Sequence, residues 1–323
     1  MNANTKYVLK NYNIKEIVLP HTGEIKSIIP LKDGEFNAAY KLVGERGNYL
    51  LKAAPPPDAD VLQYERGLMK NEYNLLSTIK KYSRVRVPAI IHKDFSRREL
   101  DTDYMILEFF DNAKPLNKIK LSKVEYGNLM FELGQEVAKL HMTKTGAVFG
   151  YSHQKLHANW RDAFTVMFNQ VVDDCNKRNI KIYQGKQAAD YVTKNLRELE
   201  AVKEPVLTHF DIWPGNIFVD TKTKRFRGLI DAERGYYGDP AGDFISLNPF
   251  SPIEQNDKFL DGYRNIRRFE IDENIRIRMN MLRLYLGVIM TAEAPVRWGR
   301  GLYTKIRQYI GKSIIKKVLN NKY

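Results

Sequence analysis

The spacing of apolar residues changes its period about a third of the way along the chain. Up to about Leu107 the apolar runs are short and bounded by turn residues. Glu24 to Pro30, Phe36 to Val43 and Tyr49 to Ala54, with the turn Gly44-Glu45-Arg46-Gly47-Asn48 before the third, read as consecutive antiparallel strands. Pro55-Pro56-Pro57 ends the third strand, because proline has no N–H to give to a ladder. From Asp58 to Tyr82 the residues Leu62, Leu68, Met69, Leu75, Leu76 and Ile79 recur at helical spacing, and two more strands are expected around Ala89 to Lys93 and Tyr104 to Phe109. Strand character stops at Phe109-Phe110-Asp111-Asn112-Ala113-Lys114-Pro115, where turn residues take over. Beyond it Lys123 to His141 places Leu129, Leu133, Val137 and Leu140 on one stripe of a helix. Further helices are expected over Ala158 to Lys177, Lys186 to Ala201, Pro252 to Arg268 and Asp272 to Ala292. The predicted class is α+β and bilobal. An N-terminal lobe of antiparallel sheet plus helix spans 1–108, a hinge 109–114, and a larger, mainly helical lobe 115–323. A helical insertion at about 155–203 precedes the loop described below and is placed to wall a cleft.

Composition narrows the class without naming a chemistry. A chain of 323 residues with 43% hydrophobic and 11% aromatic content buries an ordinary globular core and is long enough for two lobes. No apolar run approaches the roughly eighteen residues of a membrane helix, so no membrane partner is expected. The opening MNANTKYVLKNYN has no apolar core and no small-residue cleavage site, and the lone Cys175 excludes an internal disulfide and suits a reducing compartment. A cytoplasmic location is the expectation. Cys175 itself reads as a small half-buried residue on a helix. The net charge is +14, and from Ser251 onward fifteen Lys/Arg face seven Asp/Glu. That end carries Arg264, Arg267, Arg268, Arg276, Arg278 and Arg283, a run that reads as a solvated helix face. No zinc spacing, RNP-like motif or KH-type loop accompanies it, so nucleic acid is disfavoured as a partner.

The chemistry lies in VLTHFDIWPGNIFVD and GLIDAERGYYGDPAGDF. His209, Asp211 and Asn216 form H-x-D-x-x-x-x-N, and Asp231 follows across two apolar runs, Asn216 to Val219 and Gly228 to Ile230, that read as a hairpin bringing Asn216 and Asp231 together. Asp211 can accept a hydrogen bond from an attacking hydroxyl, and Asn216 and Asp231 offer the hard oxygens that Mg²⁺ prefers. His209 is expected to brace the loop. In the N-terminal part Lys52 sits inside the apolar strand Tyr49 to Ala53, where an ammonium needs a phosphate and a carboxylate as partners. Glu65 and Glu72 share a helical face, and Glu72 is the expected partner. Gly34-Glu35-Phe36-Asn37-Ala38-Ala39-Tyr40 lies where a phosphate-covering loop belongs, with Asn37 able to present backbone N–H groups. Glu108 to Phe110 lies where a lobe-joining strand offers backbone groups to a purine. ATP and GTP both remain open.

The chain resembles the aminoglycoside phosphotransferase and choline kinase-like group of small-molecule kinases. HFDIWPGN at His209 to Asn216 and IDAERGYYGDPAGDF at Ile230 to Phe244 carry the likeness, supported by Glu132-Leu133-Gly134 through Leu140-His141 and by Phe149-Gly150-Tyr151. The resemblance implies a protein-kinase-like fold and transfer of the γ-phosphate of ATP to a hydroxyl of an antibiotic, amino alcohol or sugar. It implies Asp211 as the catalytic base or hydroxyl-orienting residue, Asn216 and Asp231 as Mg²⁺ ligands, and Lys52 as the α/β-phosphate contact. Asp239 and Asp243 would buttress the loop. Phe210 follows His209 where regulated protein kinases carry Arg, and no DFG or APE segment is present, which disfavours a protein substrate. For a cationic acceptor the candidate carboxylates are Glu254, Asp257 and Asp261, spaced three, four and seven residues apart. The other class considered is a non-catalytic binding protein on the same fold.

Overall fold

The computed structural model describes residues 9, 12–31, 34 and 36–323. The chain begins with a short helix, α1 (Ile14–Thr22), and then builds strands β1 (Ile25–Leu31), β2 (Ala38–Gly44) and β3 (Gly47–Ala53). Helix α2 (Leu68–Tyr82) follows, then β4 (Ile90–Asp94) and β5 (Tyr104–Glu108). These five strands form one antiparallel sheet in the order β1-β2-β3-β5-β4. The β2–β3 hairpin closes on Gly44 opposite Gly47, and Gly47 has φ 138°, a left-handed value that costs glycine little.

The larger part is helical around two small β ladders. Strand β6 (Ala113–Pro115) leads to α3 (Lys123–His141), α4 (Trp160–Lys177), α5 (Gly185–Lys194) and β7 (Val206–Leu207). The hairpin β8 (Ile217–Asp220) and β9 (Phe226–Leu229) comes next, then β10 (Tyr237–Gly238), α6 (Ala241–Leu247), α7 (Asp257–Arg264), α8 (Glu273–Trp298) and α9 (Leu302–Leu319). β6 joins the β8–β9 hairpin in a three-stranded sheet, and β7 pairs with β10.

The helices start where their sequences cap them. In α3 the Ser122 side chain accepts from the Glu125 N–H while the Glu125 carboxylate accepts from the Ser122 N–H. Asn159 caps α4 through the Asp162 N–H, and Asp272 caps α8 through the Ile275 N–H. Every residue from Met281 to Ile289 of α8 is buried, so this helix runs through the core rather than along its surface. Glycines permit two close crossings. A Cβ on Gly262 would lie 1.9 Å from the Phe131 carbonyl oxygen, and one on Gly311 would lie 2.5 Å from the Gly287 carbonyl oxygen.

Several expectations need correction. The helix expected over Asp58 to Tyr82 begins only at Leu68, because Gly67 takes a left-handed conformation (φ 88°) and the preceding residues run as an irregular segment with one 3₁₀ turn at Gln63–Glu65. Leu62, which the helical spacing included, is fully buried against the helical part instead, together with Tyr64. Lys186 to Ala201 is a helix only to Lys194 and then a 3₁₀ segment, Leu196–Ala201. Pro252 to Arg268 is a 3₁₀ turn, Ile253–Gln255, followed by α7. The last expected helix extends to Trp298, and α1 and α9 carried no expectation. Arg278 and Arg283, read as part of a solvated face, are buried at 7% and 2% exposure. Among the described residues no helix is long and apolar enough to cross a membrane.

Candidate active site

The loop between β7 and β8 holds its shape through one carboxylate. Asp243, fully buried at the start of α6, accepts from the backbone N–H of His209 (3.0 Å) and of Phe210 (2.6 Å). Its other side meets His141 Nε2 at 2.9 Å, and His141 Nδ1 lies 2.8 Å from the Tyr263 hydroxyl. These contacts fix Phe210 at φ 56°, a left-handed conformation that a phenylalanine adopts only when its surroundings impose it. The side chain of His209 braces the loop from within, since Nε2 lies 3.0 Å from the Ile230 carbonyl and Nδ1 accepts from the Asp211 N–H at 3.3 Å. Asp239 is tied to the buried Arg278 and accepts from the Ala241 N–H.

Asp211 and Asn216 meet directly. Asn216 Nδ2 donates to Asp211 Oδ2 at 2.8 Å and to the Asp211 carbonyl at 3.0 Å, which turns the amide oxygen of Asn216 the other way. The Ile230 N–H donates to the Asn216 carbonyl at 3.1 Å across the end of the β8–β9 hairpin, so Asp231 follows beside it. Asp231 itself is left-handed at φ 67°.

Lys52 links the sheet to this loop. From β3 its ammonium donates to Glu72 Oε2 of α2 at 2.6 Å and to Asp231 Oδ1 at 2.8 Å, with Glu233 Oε2 at 3.9 Å. Burial works against the charged ammonium, yet Asp231, Glu72 and Glu233 outweigh it and hold Lys52 charged above its ordinary range. Burial raises Glu72 and pushes Glu233 up to about 8, whereas Lys52 holds Asp231 below the usual carboxylate value against the same penalty. Glu65, the other candidate partner, points away and pairs with Arg297 at 2.5 Å.

The three carboxylates of Glu72, Asp231 and Glu233 lie within 4.8 Å of one another, close enough to enclose a cation. The Lys52 ammonium already fills that role. Asp231 uses Oδ1 on Lys52 and Asn216 uses its amide nitrogen on Asp211, so a carboxylate oxygen of Asp231 and the amide oxygen of Asn216 are the donors that could hold a divalent ion. Two hard oxygen donors are the kind of ligand that Mg²⁺ accepts, with phosphates and waters as its other ligands.

The remaining expected nucleotide contacts sit along the sheet. Asn37 is buried and its Nδ2 donates to Glu233 Oε2 at 2.6 Å, so its side chain supports the carboxylate cluster. Glu35 of the same loop lies outside the described residues. The Glu108 N–H is taken by the Ala89 carbonyl at 2.8 Å, and its carboxylate meets the Ala89 N–H and Arg227. That N–H is therefore not open to a purine. Phe110 is buried against Gly228 and Phe218, with the Arg227 guanidinium over its ring.

Sequence reasoning missed a buried ionic chain on the other side of Asp211. Arg234 Nη1 lies 3.9 Å from Asp211 Oδ1, and Arg234 Nη2 donates to both oxygens of Glu293 at 2.8 Å. Glu293 also accepts from the Tyr64 hydroxyl and meets Arg297 at 3.1 Å, and Arg297 passes on to Glu65. Burial raises the Asp211 carboxyl above its ordinary value, with Arg234 pulling it back down. The available signal was Glu293 and Arg297, four residues apart in an otherwise apolar stretch of α8. By contrast Glu254 pairs with Arg276 (2.5 Å) and Asp261 with Lys258 (3.4 Å), and both acids are solvent-exposed on their side chains.

No curated protein matches the sequence. Among solved structures, a Haemophilus somnus protein assigned as a fructosamine-3-kinase is 17% identical, with TM-score 0.67, and the match covers 94% of this chain and 96% of that one. The aminoglycoside phosphotransferase APH(4)-Ia, in ternary complex with AMP-PNP and hygromycin B, is 13% identical with TM-score 0.67, covering 96% and 98%. APH(2″)-IIa in complex with gentamicin is 16% identical with TM-score 0.62, covering 96% and 97%. These likenesses establish the bilobal protein-kinase-like fold. The family model of the phosphotransferase enzymes matches residues 27–273, which span the sheet, Lys52, the loop around Asp211 and the Asp231 turn, and the chain belongs to that phosphotransferase enzyme family.

Proposed function

We propose that the protein moves the γ-phosphate of ATP to a hydroxyl of a small molecule in a Mg²⁺-dependent reaction. The observation that carries this reading is the convergence of Lys52, Asp211, Asn216 and Asp231, drawn from three separate stretches of sequence, within two or three hydrogen bonds of one another. The neighbouring structures with AMP-PNP and hygromycin B bound, or with gentamicin, support a nucleotide on one side of the cleft and a hydroxyl acceptor on the other.

Each residue then has a task that follows from its position. Lys52, held charged and aimed by Glu72, contacts the α- and β-phosphates and offsets charge that develops on the leaving group. Mg²⁺, when bound through Asn216 and Asp231, supplies charge neutralisation of the phosphates. Asp211, oriented by Asn216, accepts the proton of the acceptor hydroxyl as that oxygen lines up with the γ-phosphate. His209 and Asp243 keep the loop in its strained shape. The division into a nucleotide lobe over 1–108, a joining segment at 109–114 and an acceptor lobe over 115–323 completes the reading.

The test is ADP release from Mg-ATP with a panel of aminoglycosides, macrolides, amino alcohols and sugars, run beside Asp211→Asn. Acceptor-dependent turnover that disappears in the variant is the expected result. Turnover that Asp211→Asn leaves unchanged rules the assignment out.

A further inference from the structure

We propose that Arg234 selects the acceptor: the hydroxyl received by Asp211 belongs to a molecule with a carboxylate beside that hydroxyl, and polyamine-like acceptors are turned away. The proposal rests on the phosphotransferase reading above and adds the charge class of its substrate.

Three observations point this way. The first is the division of labour at Asp211. Its Oδ2 is taken by Asn216 at 2.8 Å, so the oxygen left for an acceptor hydroxyl is Oδ1, and that is the oxygen facing Arg234 Nη1 at 3.9 Å. The gap is too long for a hydrogen bond between the two residues. It suits an inserted ligand oxygen, since an atom about 2.7 Å from Oδ1 can also lie about 2.9 Å from Nη1.

The second is that Arg234 cannot swing away. Its Nη2 is held on both oxygens of Glu293 at 2.8 Å, and the residue is 7% exposed. Nη1 is therefore presented at a fixed place on a permanently charged guanidinium, as a donor to one oxygen of a carboxylate.

The third is the charge of everything behind it. Glu293 and Glu65 are 1% and 2% exposed and already serve Arg234, Arg297 and Tyr64. Neither of these two carboxylates is left over to receive an ammonium. Of the three acids that the sequence offered for a cationic acceptor, Glu254 and Asp261 are engaged by Arg276 and Lys258, and Asp257 is exposed at the start of α7, where it accepts the Lys258 N–H. An ammonium beside the reacting hydroxyl would meet a fixed guanidinium, whereas a carboxylate there gains a charge-assisted bond.

The experiment compares acceptors that differ only in charge: glycerate with glycerol, and gluconate with glucose and glucosamine, with kanamycin as the polycation. Phosphorylation with Mg-ATP is measured for the native protein, for Arg234→Lys, and for Arg234→Gln combined with Glu293→Gln, which leaves no charge of that pair unmatched. The native protein is expected to favour each carboxylate over its neutral partner at least tenfold in kcat/KM, with glucosamine and kanamycin lowest. In the double variant the preference should shrink below about threefold through a rise in KM, and Arg234→Lys should restore part of it. If none of the probes is phosphorylated, the same ranking is read as inhibition of ATP hydrolysis to water. A cationic probe that ranks first, or a ranking that the double variant leaves unaltered, overturns the role of Arg234. ATP hydrolysis that is absent, or indifferent to Asp211→Asn, instead overturns the phosphotransferase reading and this proposal with it.

Discussion

Lys52 and Asp231 stand 179 positions apart in sequence and touch at 2.8 Å, which joins the five-stranded sheet to the turn after β9. The same ammonium reaches Glu72 at 2.6 Å, so α2 is held in register with both. Replacing Lys52 with Met leaves Glu72, Asp231 and Glu233 facing one another without a cation. We expect kcat/KM for ATP to fall by about 10²-fold or more, the scale of losing one preorganised charge contact to the reacting phosphates. Steady-state kinetics over a range of ATP concentrations checks this, and an unchanged kcat/KM would remove Lys52 from the nucleotide site.

Glu293 sits between two buried guanidiniums. Glu293→Ala strips Arg234 of its hydrogen-bonded partner and leaves Arg297 with Glu65 alone. Breaking a buried pair from one side costs about 3–5 kcal/mol, because an uncompensated charge stays behind. Urea unfolding should show that loss. A change under about 1 kcal/mol would mean that water relieves Arg234 more than its burial implies.

The crossing of α3 and α7 has no room for a methyl group. A Cβ on Gly134 would lie 2.1 Å from the Phe259 carbonyl oxygen, and one on Gly262 would lie 1.9 Å from that of Phe131. Both obstacles are backbone, which cannot rotate aside. Gly262→Ala is expected to destabilise by about 1–3 kcal/mol or more through separation of the helices, although alanine favours helix intrinsically. Thermal melting gives the answer, and a raised Tm would contradict the packing.

His153 links stability to acidity. Burial pushes its pKa down to about 4, while its Nε2 lies 3.2 Å from the Tyr64 carbonyl. The folded state therefore holds the ring neutral where the unfolded chain, titrating near 6.5, takes up a proton. Its contribution is present in full above about pH 6.5 and is lost as the pH falls towards 4, up to about 3 kcal/mol in all. His153→Gln keeps a side-chain donor and removes the titration, so its stability should depend less steeply on pH across that window. Parallel slopes for the two proteins would locate the acid sensitivity elsewhere, with His141, whose pKa burial also lowers, as the next group to vary.

What the sequence reveals divides along the range of the interaction. The span of α3 is readable residue for residue, because a capping box at Ser122 and Glu125 and a clean apolar stripe are local signals. The meeting of Asn216 with Asp231 is also readable, since a hairpin is short enough to show in alternating runs. The choice of Glu72 over Glu65 as the neighbour of Lys52 follows from the regular apolar segment beginning beside it. The chain from Asp211 through Arg234 and Glu293 to Glu65 was invisible, because its members are 59 and 232 residues apart and only tertiary packing decides their partners. The late start of α2 was masked for a related reason. Leu62 fits the helical spacing of the residues after it, but with Val61 and Tyr64 it is buried in the core of the helical part rather than by a helix of its own.

That last segment has a consequence for how the molecule can be taken apart. Residues 55–67 belong by sequence to the sheet-bearing end, yet Leu62 and Tyr64 lie in the same core as Trp160, Phe164 and Tyr285. The Gln63 N–H is bound to Asp174 of α4 at 2.7 Å, and Glu65 to Arg297 of α8. A fragment cut near residue 110 would carry those side chains into water and leave holes and an orphaned arginine in the remainder. Expression of the two halves as separate polypeptides should therefore yield material that is soluble only when both are made together, with the strap at 55–67 acting as the adhesive between them.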